Sequence, residues 1–215
     1  MPTIKVPERD VLQLEDVIKL CEKEEDARVK CLVALAYTFG SRISEYMQLK
    51  KEDFEQADGQ LKVRFLLKKK REGNQPYVGI RPGWERYIAL DYPLVRYALE
   101  YIDSIQSGYI FPSAQSHDRE KYVKYVNKKT GKVVEKFYPI KGGHLTEDWA
   151  RWKLKDLDAG LYWHFFRRSA ITNIAVKEKS MIAAKQFAGH ASITTTERYV
   201  SKDPAIDERL AARKY

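Results

Sequence analysis

Apolar side chains recur at helical spacing along the first part of the chain. The stretches 11–25 and 26–38 both place apolar residues three or four positions apart, and Gly40 follows the second stretch. The segment SRISEYMQLKKEDF, residues 41–54, continues this spacing. The pattern therefore predicts three consecutive helices.

The period changes to two in the segment that follows. Apolar and basic residues alternate in GQLKVRFLLKKKR, residues 59–71, as they do in a half-buried strand. The loop REGNQP contains Gly, Asn and Pro, which favour turns, and YVGIRP, residues 77–82, has the pattern of a returning strand. We expect an antiparallel hairpin with a strongly basic tip.

The second half of the chain is mostly helical in pattern. Four further stretches have helical spacing, namely 93–105, 146–156, 164–177 and 180–187. A last short helix is expected after Asp203, with Pro204 in its first turn, and the Lys-rich residues 113–143 predict surface structure with a hairpin around 128–131. The predicted fold class is mainly α with a small antiparallel β-sheet (α+β), in one domain that covers residues 1–215.

Composition indicates a globular protein with excess positive charge. The 215 residues are 44% hydrophobic and 32% charged, and 39 Lys and Arg against 30 Asp and Glu give a net charge of +9. No apolar run reaches the ~20 residues of a membrane span, and no secretory signal is visible, so the cytosol is the expected compartment. The charge predicts a polyanionic partner, either a nucleic acid or an acidic membrane surface, although heat-adapted proteins also enrich Lys and Glu.

No metal site is expected from the sequence. Cys21 and Cys31 are ten residues apart without a zinc-type spacing, and reduced thiols that pack as small apolar residues explain them best. The sequence also lacks a carboxylate cluster of the two-metal type, which argues against metal-dependent nuclease chemistry.

Polar groups occur in four separated segments where a helical pattern begins or breaks. Arg42 lies in GSRISEYMQL, and His164 and Arg167 lie three apart, on one helical face. His190 ends the stretch AGH, and Tyr199 follows it by nine residues. Each residue alone has an ordinary structural explanation, such as a salt bridge, a core histidine or a packed tyrosine.

Taken together, these segments resemble the tyrosine recombinase family, the phage-type integrases that cut and rejoin DNA. The family's first motif, Gly-x-Arg followed by Ile-Ser-Glu and Leu, is similar to GSRISEYMQL. Its second motif, His-x-x-Arg, then Gly-His, Thr-Thr and Tyr, is similar to HFFRRSAIT, AGH and SITTTERYV. The resemblance covers most of residues 11–200 and implies the catalytic-domain fold of this family.

These residue types suit phosphoryl transfer at a DNA backbone. Two guanidiniums, Arg42 and Arg167, are expected to hold the non-bridging phosphate oxygens. His164 and His190 are expected to donate hydrogen bonds to the same phosphate, and one of them to help move a proton. Tyr199 is the expected nucleophile, and because a phenol has a pKa near 10, the cationic pocket must help it to lose its proton.

The resemblance also implies the course of the reaction. It implies a 3′-phosphotyrosyl intermediate and a free 5′-hydroxyl that attacks a second strand, with no ATP, Mg²⁺ or other cofactor. In this family a lysine on the hairpin protonates the leaving oxygen. Strand alternation favours Lys69 as this proton donor, because it places Lys69 on the apolar face of the strand. Alignment of the strand end with the family favours Lys68, and we choose Lys68. The remaining cations are expected to contact DNA: Lys69, Lys70, Arg71 and Arg168.

Several matters are left open by the sequence. We expect the chain to lack the N-terminal core-binding domain of the family, either naturally or by truncation. The tail 201–215 predicts a small helix that packs on its own domain or is exchanged between protomers. The expected partner is double-stranded DNA, bound as a homotetramer, with a monomer or weak association in its absence and no contact with membranes. An inert DNA-binding module and a type IB topoisomerase-like relaxer are the alternatives.

Overall fold

Eight helices and five strands form the part of the chain that is described. The computed structural model describes residues 11–68, 80–113, 119–126, 131, 133–140, 143–158, 160–190 and 192–200. The helices are α1 (Leu14–Lys23), α2 (Ala27–Phe39), α3 (Ile43–Tyr46), α4 (Val95–Ile102), α5 (Glu147–Leu157), α6 (Trp163–Lys177), α7 (Met181–Ala188) and α8 (Ile193–Val200). The strands are β1 (Phe54–Ala57), β2 (Gln60–Lys68), β3 (Ile80–Ala89), β4 (Arg119–Val126) and β5 (Val133–Ile140).

Helix α2 is the centre of the core. Its sequence ARVKCLVALAYTF is apolar on nearly every face, which is typical of a helix that is surrounded by protein. The Asp26 side chain caps its first turn by accepting from the Arg28 N–H, and Gly40 ends it in the left-handed conformation with φ 56°. Helices α1, α4, α5 and α6 all pack against α2.

The sheet is antiparallel in the order β1–β2–β3. The alternation in β2 is confirmed, because Leu61, Val63 and Phe65 are completely buried. Strand β3 extends well beyond the return strand 77–82 that the pattern predicted. The register shifts between Phe65 and Leu67 of β2, and this bulge accommodates the Pro-Gly pair of β3, which reads as a turn in the sequence. The second predicted hairpin is also present, as β4 paired with β5.

The helix predicted over 41–54 is wrong beyond its first turn. Helix α3 stops at Tyr46 because the chain turns away to meet another segment. The carbonyl of Leu49 accepts from the N–H of Ile110, and Lys50 forms a bridge with Tyr109. The residues that follow form a short 3₁₀ turn and strand β1.

Helices α6, α7 and α8 form the part of the domain that carries the second motif. A small apolar cluster joins α6 to α7 through Ile171, Ala175, Ala184 and Ala188. Helix α8 packs on both of them and was not predicted by the apolar pattern. No helix within the described ranges is long and apolar enough to traverse a lipid bilayer. The predicted class, mainly α with small antiparallel sheets, is confirmed.

Candidate active site

The loop that carries Arg42 is locked by a buried tyrosine. The hydroxyl of Tyr46 accepts from the N–H of Ser41 at 2.8 Å and donates to the carbonyl of Leu35 at 3.0 Å. The Tyr46 ring contacts Phe65 of β2 edge to face, with 5.5 Å between the ring centroids. The turn between α2 and α3 is therefore fixed to both the central helix and the sheet.

Arg42 is held by one carboxylate. The Nη1 of Arg42 lies 3.0 Å from Oε1 of Glu45, and the Arg42 backbone N–H donates to Oε2 at 2.8 Å. The Glu45 side chain is only 5% exposed, whereas that of Arg42 is 49% exposed. A buried acid thus orients a guanidinium whose outer half faces solvent.

Arg167 is buried and makes contacts in three directions. Its Nη1 donates to the carbonyl of Gly40, and its Nη2 donates to the carbonyl of Ala188 at 2.8 Å. The same Nη2 lies 3.0 Å from Nε2 of His190. The side chain therefore joins the C-terminal ends of α2 and α7 to the histidine of the second motif.

His190 follows the end of α7 and is almost completely buried. Gly189 adopts a left-handed conformation with φ 63°, and the His190 N–H returns to the carbonyl of Lys185 at 3.1 Å. The His190 Nδ1 lies 3.0 Å from the hydroxyl of Thr196 on α8. The ring is thus placed between α6 and α8.

His164 stands on the rim of a pocket of about 430 Å³. Partial burial of the imidazole lowers the pKa of His164, and the charges of Arg167, Arg42 and Arg168 lower it further. The pocket is lined by Ser41, Arg42, Ile43, Ser44, Glu147, Arg151, Leu154, Lys155, Leu161, Tyr162, Trp163, His164 and Arg167. The pocket thus places a histidine beside two arginines, and these side chains can donate hydrogen bonds to an anionic ligand.

Two polar atoms in the pocket wall lack hydrogen-bond partners among the described residues. They are the Oγ of Ser41 and the indole nitrogen of Trp163, and both are buried. Buried polar atoms in folded proteins are normally paired, so an exception within a pocket is typical of a functional site.

A second buried arginine connects the sheet to this region. Arg86 of β3 donates from Nη2 to the carbonyl of Phe187, and its guanidinium lies 4.9 Å from the centroid of the Phe187 ring. Burial lowers the pKa of Arg86 to about 10, and Arg167 contributes to this shift, which still leaves the side chain charged at neutral pH. The last carbonyls of α7 therefore accept from two different guanidiniums, a favourable arrangement at a helix C-terminus.

The structure brings together four of the predicted catalytic residues. Arg42, His164 and Arg167 line the pocket, and His190 is hydrogen-bonded to Arg167. The backbone of Tyr199 lies in α8, but its side chain is outside the described part. Lys68 is the last residue of β2, and its side chain is also outside the described part. Residues 69–71, which were predicted to contact DNA, lie outside the described residues. Arg168 lies on α6 beside Arg167.

Three residues of the site were missed by the sequence interpretation. Glu45 follows Arg42 by three residues, so an i, i+3 ion pair was recognisable in the sequence. Thr196 gave a weaker signal as one of three consecutive threonines. Arg86 gave none, because its acceptor is a backbone carbonyl 101 residues away. Within the described residues no cluster of three or more His, Cys, Asp or Glu has a metal-binding arrangement.

The sequence is similar to known recombinases over most of its length. Residues 9–205 match the profile of the Phage integrase family. The chain is 29% identical over 209 residues to the tyrosine recombinase XerC of Herpetosiphon aurantiacus, covering 95% of this chain and 59% of that protein. It is 26% identical over 202 residues to the tyrosine recombinase XerD of Staphylococcus haemolyticus, covering 88% and 57%. The chain thus spans less than two thirds of either relative.

A solved structure has the same fold. The XerH site-specific recombinase, in a post-cleavage complex with a palindromic difH substrate, superposes with a TM-score of 0.61 at 18% identity, covering 94% of this chain and 52% of that one. Similarity at this identity shows the fold alone, and it confirms the predicted catalytic-domain fold. The match over residues 9–205 shows that the chain belongs to the phage integrase family, as its motifs predicted.

Proposed function

We propose that this chain is a site-specific DNA recombinase that cleaves and rejoins strands through a 3′-phosphotyrosyl intermediate. One observation carries the proposal, namely the convergence of Arg42, His164, Arg167 and His190 on one region, to which α8 with Tyr199 is joined through the hydroxyl of Thr196. Membership of the family supports the same chemistry.

The cations have the arrangement that a phosphodiester requires. Its transition state carries more negative charge on the non-bridging oxygens than the ground state, and guanidiniums can donate paired N–H groups to these oxygens. Arg167 is held in place by backbone carbonyls before any DNA binds, whereas the outer half of Arg42 is accessible. We assign both side chains to the scissile phosphate.

Tyr199 is the proposed nucleophile. Its phenolate oxygen forms a bond to phosphorus, and the bond from phosphorus to the 5′-oxygen breaks. Lys68 at the end of β2 gives a proton to this leaving oxygen, which departs as a 5′-hydroxyl. The reverse reaction with a 5′-hydroxyl of another strand restores the phosphodiester. The two steps together therefore consume no ATP and need no cofactor.

The partner in this proposal is double-stranded DNA in the cytoplasm, which for a viral protein means the cytoplasm or nucleoid of its host cell. The net charge of +9 favours a polyanion, and the relative XerH is bound to its difH substrate in the solved complex. We further propose that the protein acts as one catalytic domain within a homotetramer assembled on DNA. The tail 201–215, proposed to be exchanged between protomers, lies outside the described residues.

Covalent trapping tests the proposal without knowledge of the target sequence. The probe is a library of duplexes with a randomised core and a single nick, from which the short 5′-hydroxyl strand diffuses away after cleavage. We expect adducts that survive denaturation, with mass spectrometry locating the nucleotide on Tyr199. Tyr199→Phe should abolish them, whereas Tyr122→Phe, at a half-exposed tyrosine on β4, should not.

The other outcomes distinguish the alternatives. DNA binding that weakens steeply with salt and gives no adduct would refute the proposal and indicate an inert binding module. Adducts combined with relaxation of supercoiled DNA, but without joining between two sites, would refute recombination and indicate a topoisomerase-like activity. An adduct on a different tyrosine would refute the assignment of Tyr199.

A further inference from the structure

The imidazole of His190 is held by two helices at once. From α6, Nη2 of Arg167 lies 3.0 Å from its Nε2, and from α8 the hydroxyl of Thr196 lies 3.0 Å from its Nδ1. His190 is 8% exposed and Thr196 is completely buried. Both ring nitrogens therefore have a defined neighbour in the interior of the protein.

These neighbours select one tautomer of the ring. A guanidinium has only donors, so Nε2 of His190 must accept the hydrogen bond from Arg167 through its lone pair. A neutral imidazole then carries its proton on Nδ1, and this N–H donates to the hydroxyl oxygen of Thr196. The opposite tautomer would place two N–H donors against each other at 3.0 Å. The geometry thus defines a neutral ring with an acceptor at Nε2.

Thr196 also has a particular position along the chain. It lies in the middle of α8, three residues before Tyr199, which is about one helical turn. Two other threonines precede it in the same helix, and Thr194 is exposed while Thr195 is half-buried. Of these threonines, Thr196 is the one whose hydroxyl lies within hydrogen-bond distance of the His190 ring. This hydrogen bond ties the helix of the proposed nucleophile to the histidine.

We propose that Thr196 is a positioning residue that fixes the Nδ1–H tautomer of His190 and couples this ring to the tyrosine helix. The catalytic consequence rests on the proposed function. The Nδ1–H tautomer keeps the lone pair of His190 on Nε2, the ring atom that faces Arg167. The O–H bond of the Tyr199 phenol then breaks, its proton moves to Nε2, and the phenolate attacks phosphorus. His190 thus accepts the phenol proton, which gives it the proton-moving role that the sequence analysis left open between the two histidines.

Nitrogen NMR of the free protein tests the tautomer directly. We expect the ¹⁵N-labelled wild type to show a protonated Nδ1 and an unprotonated Nε2 at His190, assigned by the loss of these signals in His190→Gln. Thr196→Val removes the acceptor at nearly constant volume and should shift the ring towards a mixture of tautomers. Thr196→Ser should keep the wild-type pattern, as should the matched control Thr194→Val. A wild-type pattern in Thr196→Val would overturn the proposal.

Single-turnover cleavage of the nicked duplexes tests the catalytic consequence. Thr196→Val should lower the rate of adduct formation about 10- to 100-fold with an unchanged Kd for DNA, because the acceptor is misplaced while the phosphate contacts remain. Thr196→Ser should restore the rate. A folded Thr196→Ser variant that loses either the tautomer or the rate contradicts the proposal, even if Thr196→Val does not fold. Absence of adducts in the wild type would refute the proposed function and leave the tautomer to be decided by NMR.

Discussion

The two arginines of the site are held in opposite ways. Arg167 is 3% exposed and donates to backbone carbonyls at the ends of two helices. Arg42 is half-exposed and is paired with a carboxylate. The acceptors of Arg167 belong to the ends of two packed helices, whereas the Arg42 side chain reaches solvent beside a single carboxylate.

Because of this difference, Arg167 presents a positive charge at a fixed position, whereas the position of the Arg42 charge can adjust. A buried donor set in advance costs no reorganisation when charge develops on a substrate, which is the most effective form of electrostatic catalysis. A half-exposed donor has a weaker interaction in water and can follow a ligand as it enters. We infer that Arg167 belongs to the framework of the pocket and that Arg42 closes on its ligand.

The largest expected effect is a difference in stability between the two arginines. Arg167→Met leaves the carbonyls of Gly40 and Ala188 without a donor they now have, so we expect the free energy of unfolding to fall by about 3–5 kcal/mol. Arg42→Met removes the ion-pair partner of the buried Glu45, which keeps the hydrogen bond from the backbone N–H of residue 42, so the cost should be smaller, about 1–2 kcal/mol. Urea denaturation of both variants measures the difference. Equal losses would contradict the division into a fixed and an adjustable arginine.

A smaller effect is expected at Gly40, where the end of α2 contacts Phe187 of α7. Its φ is +56°, and an added Cβ would lie 2.8 Å from Cε1 of Phe187. Gly59 has φ +71° and no atom of the described residues within 4 Å of such a Cβ, so it is a matched control. Gly59→Ala should cost about 1 kcal/mol through its backbone conformation alone.

At Gly40 the contact with the Phe187 ring adds to this backbone cost. We expect Gly40→Ala to lower the free energy of unfolding by about 2–3 kcal/mol. It should also displace the end of α7, which would be visible as shifted amide signals near Phe187. If both glycine variants lose the same free energy of unfolding, the Phe187 ring moves aside without cost and does not add to the effect at Gly40.

The smallest expected effect is the pH dependence at the rim. The pKa of His164 is lowered in the folded protein, so between its folded and unfolded pKa values the unfolded chain binds more protons. The stability that this contributes is complete above the unfolded pKa, about 6.5, and is lost as the pH falls through the folded pKa. His164→Gln should flatten the acid side of the stability curve. Parallel curves for the two proteins would show that neither burial nor the neighbouring arginines lower the pKa of this ring.

The apolar pattern predicted those helices and strands whose apolar residues are the ones buried in the fold. Strand β2 and the buried helix α2 are of this kind. Helix α8 escaped prediction because the run Thr194–Thr196 is β-branched and has low helix propensity, so the tertiary contacts of the helix must stabilise it. Strand β3 was cut short in the prediction because Pro82 and Gly83 are typical of turns, whereas a bulge accommodates them here.

In the candidate site, the sequence predicted which residues take part but not which groups they contact. Residue types and spacing were sufficient to single out Arg42, His164, Arg167 and His190. Their partners were not predictable, since the acceptors of Arg167 are backbone carbonyls that carry no mark in the sequence. The tautomer of His190 depends on a donor and an acceptor from two helices, and is therefore a property of the tertiary structure.

Hydrogen bonds of this domain join very distant parts of the chain. Gly40 and Arg167 are 127 residues apart, and Leu12 and Asn173 are 161 residues apart. Closing such loops costs chain entropy before any contact is gained, which slows folding. During synthesis, the hydrogen bond between His190 and Thr196 can form only after the segment that carries both residues has left the ribosome.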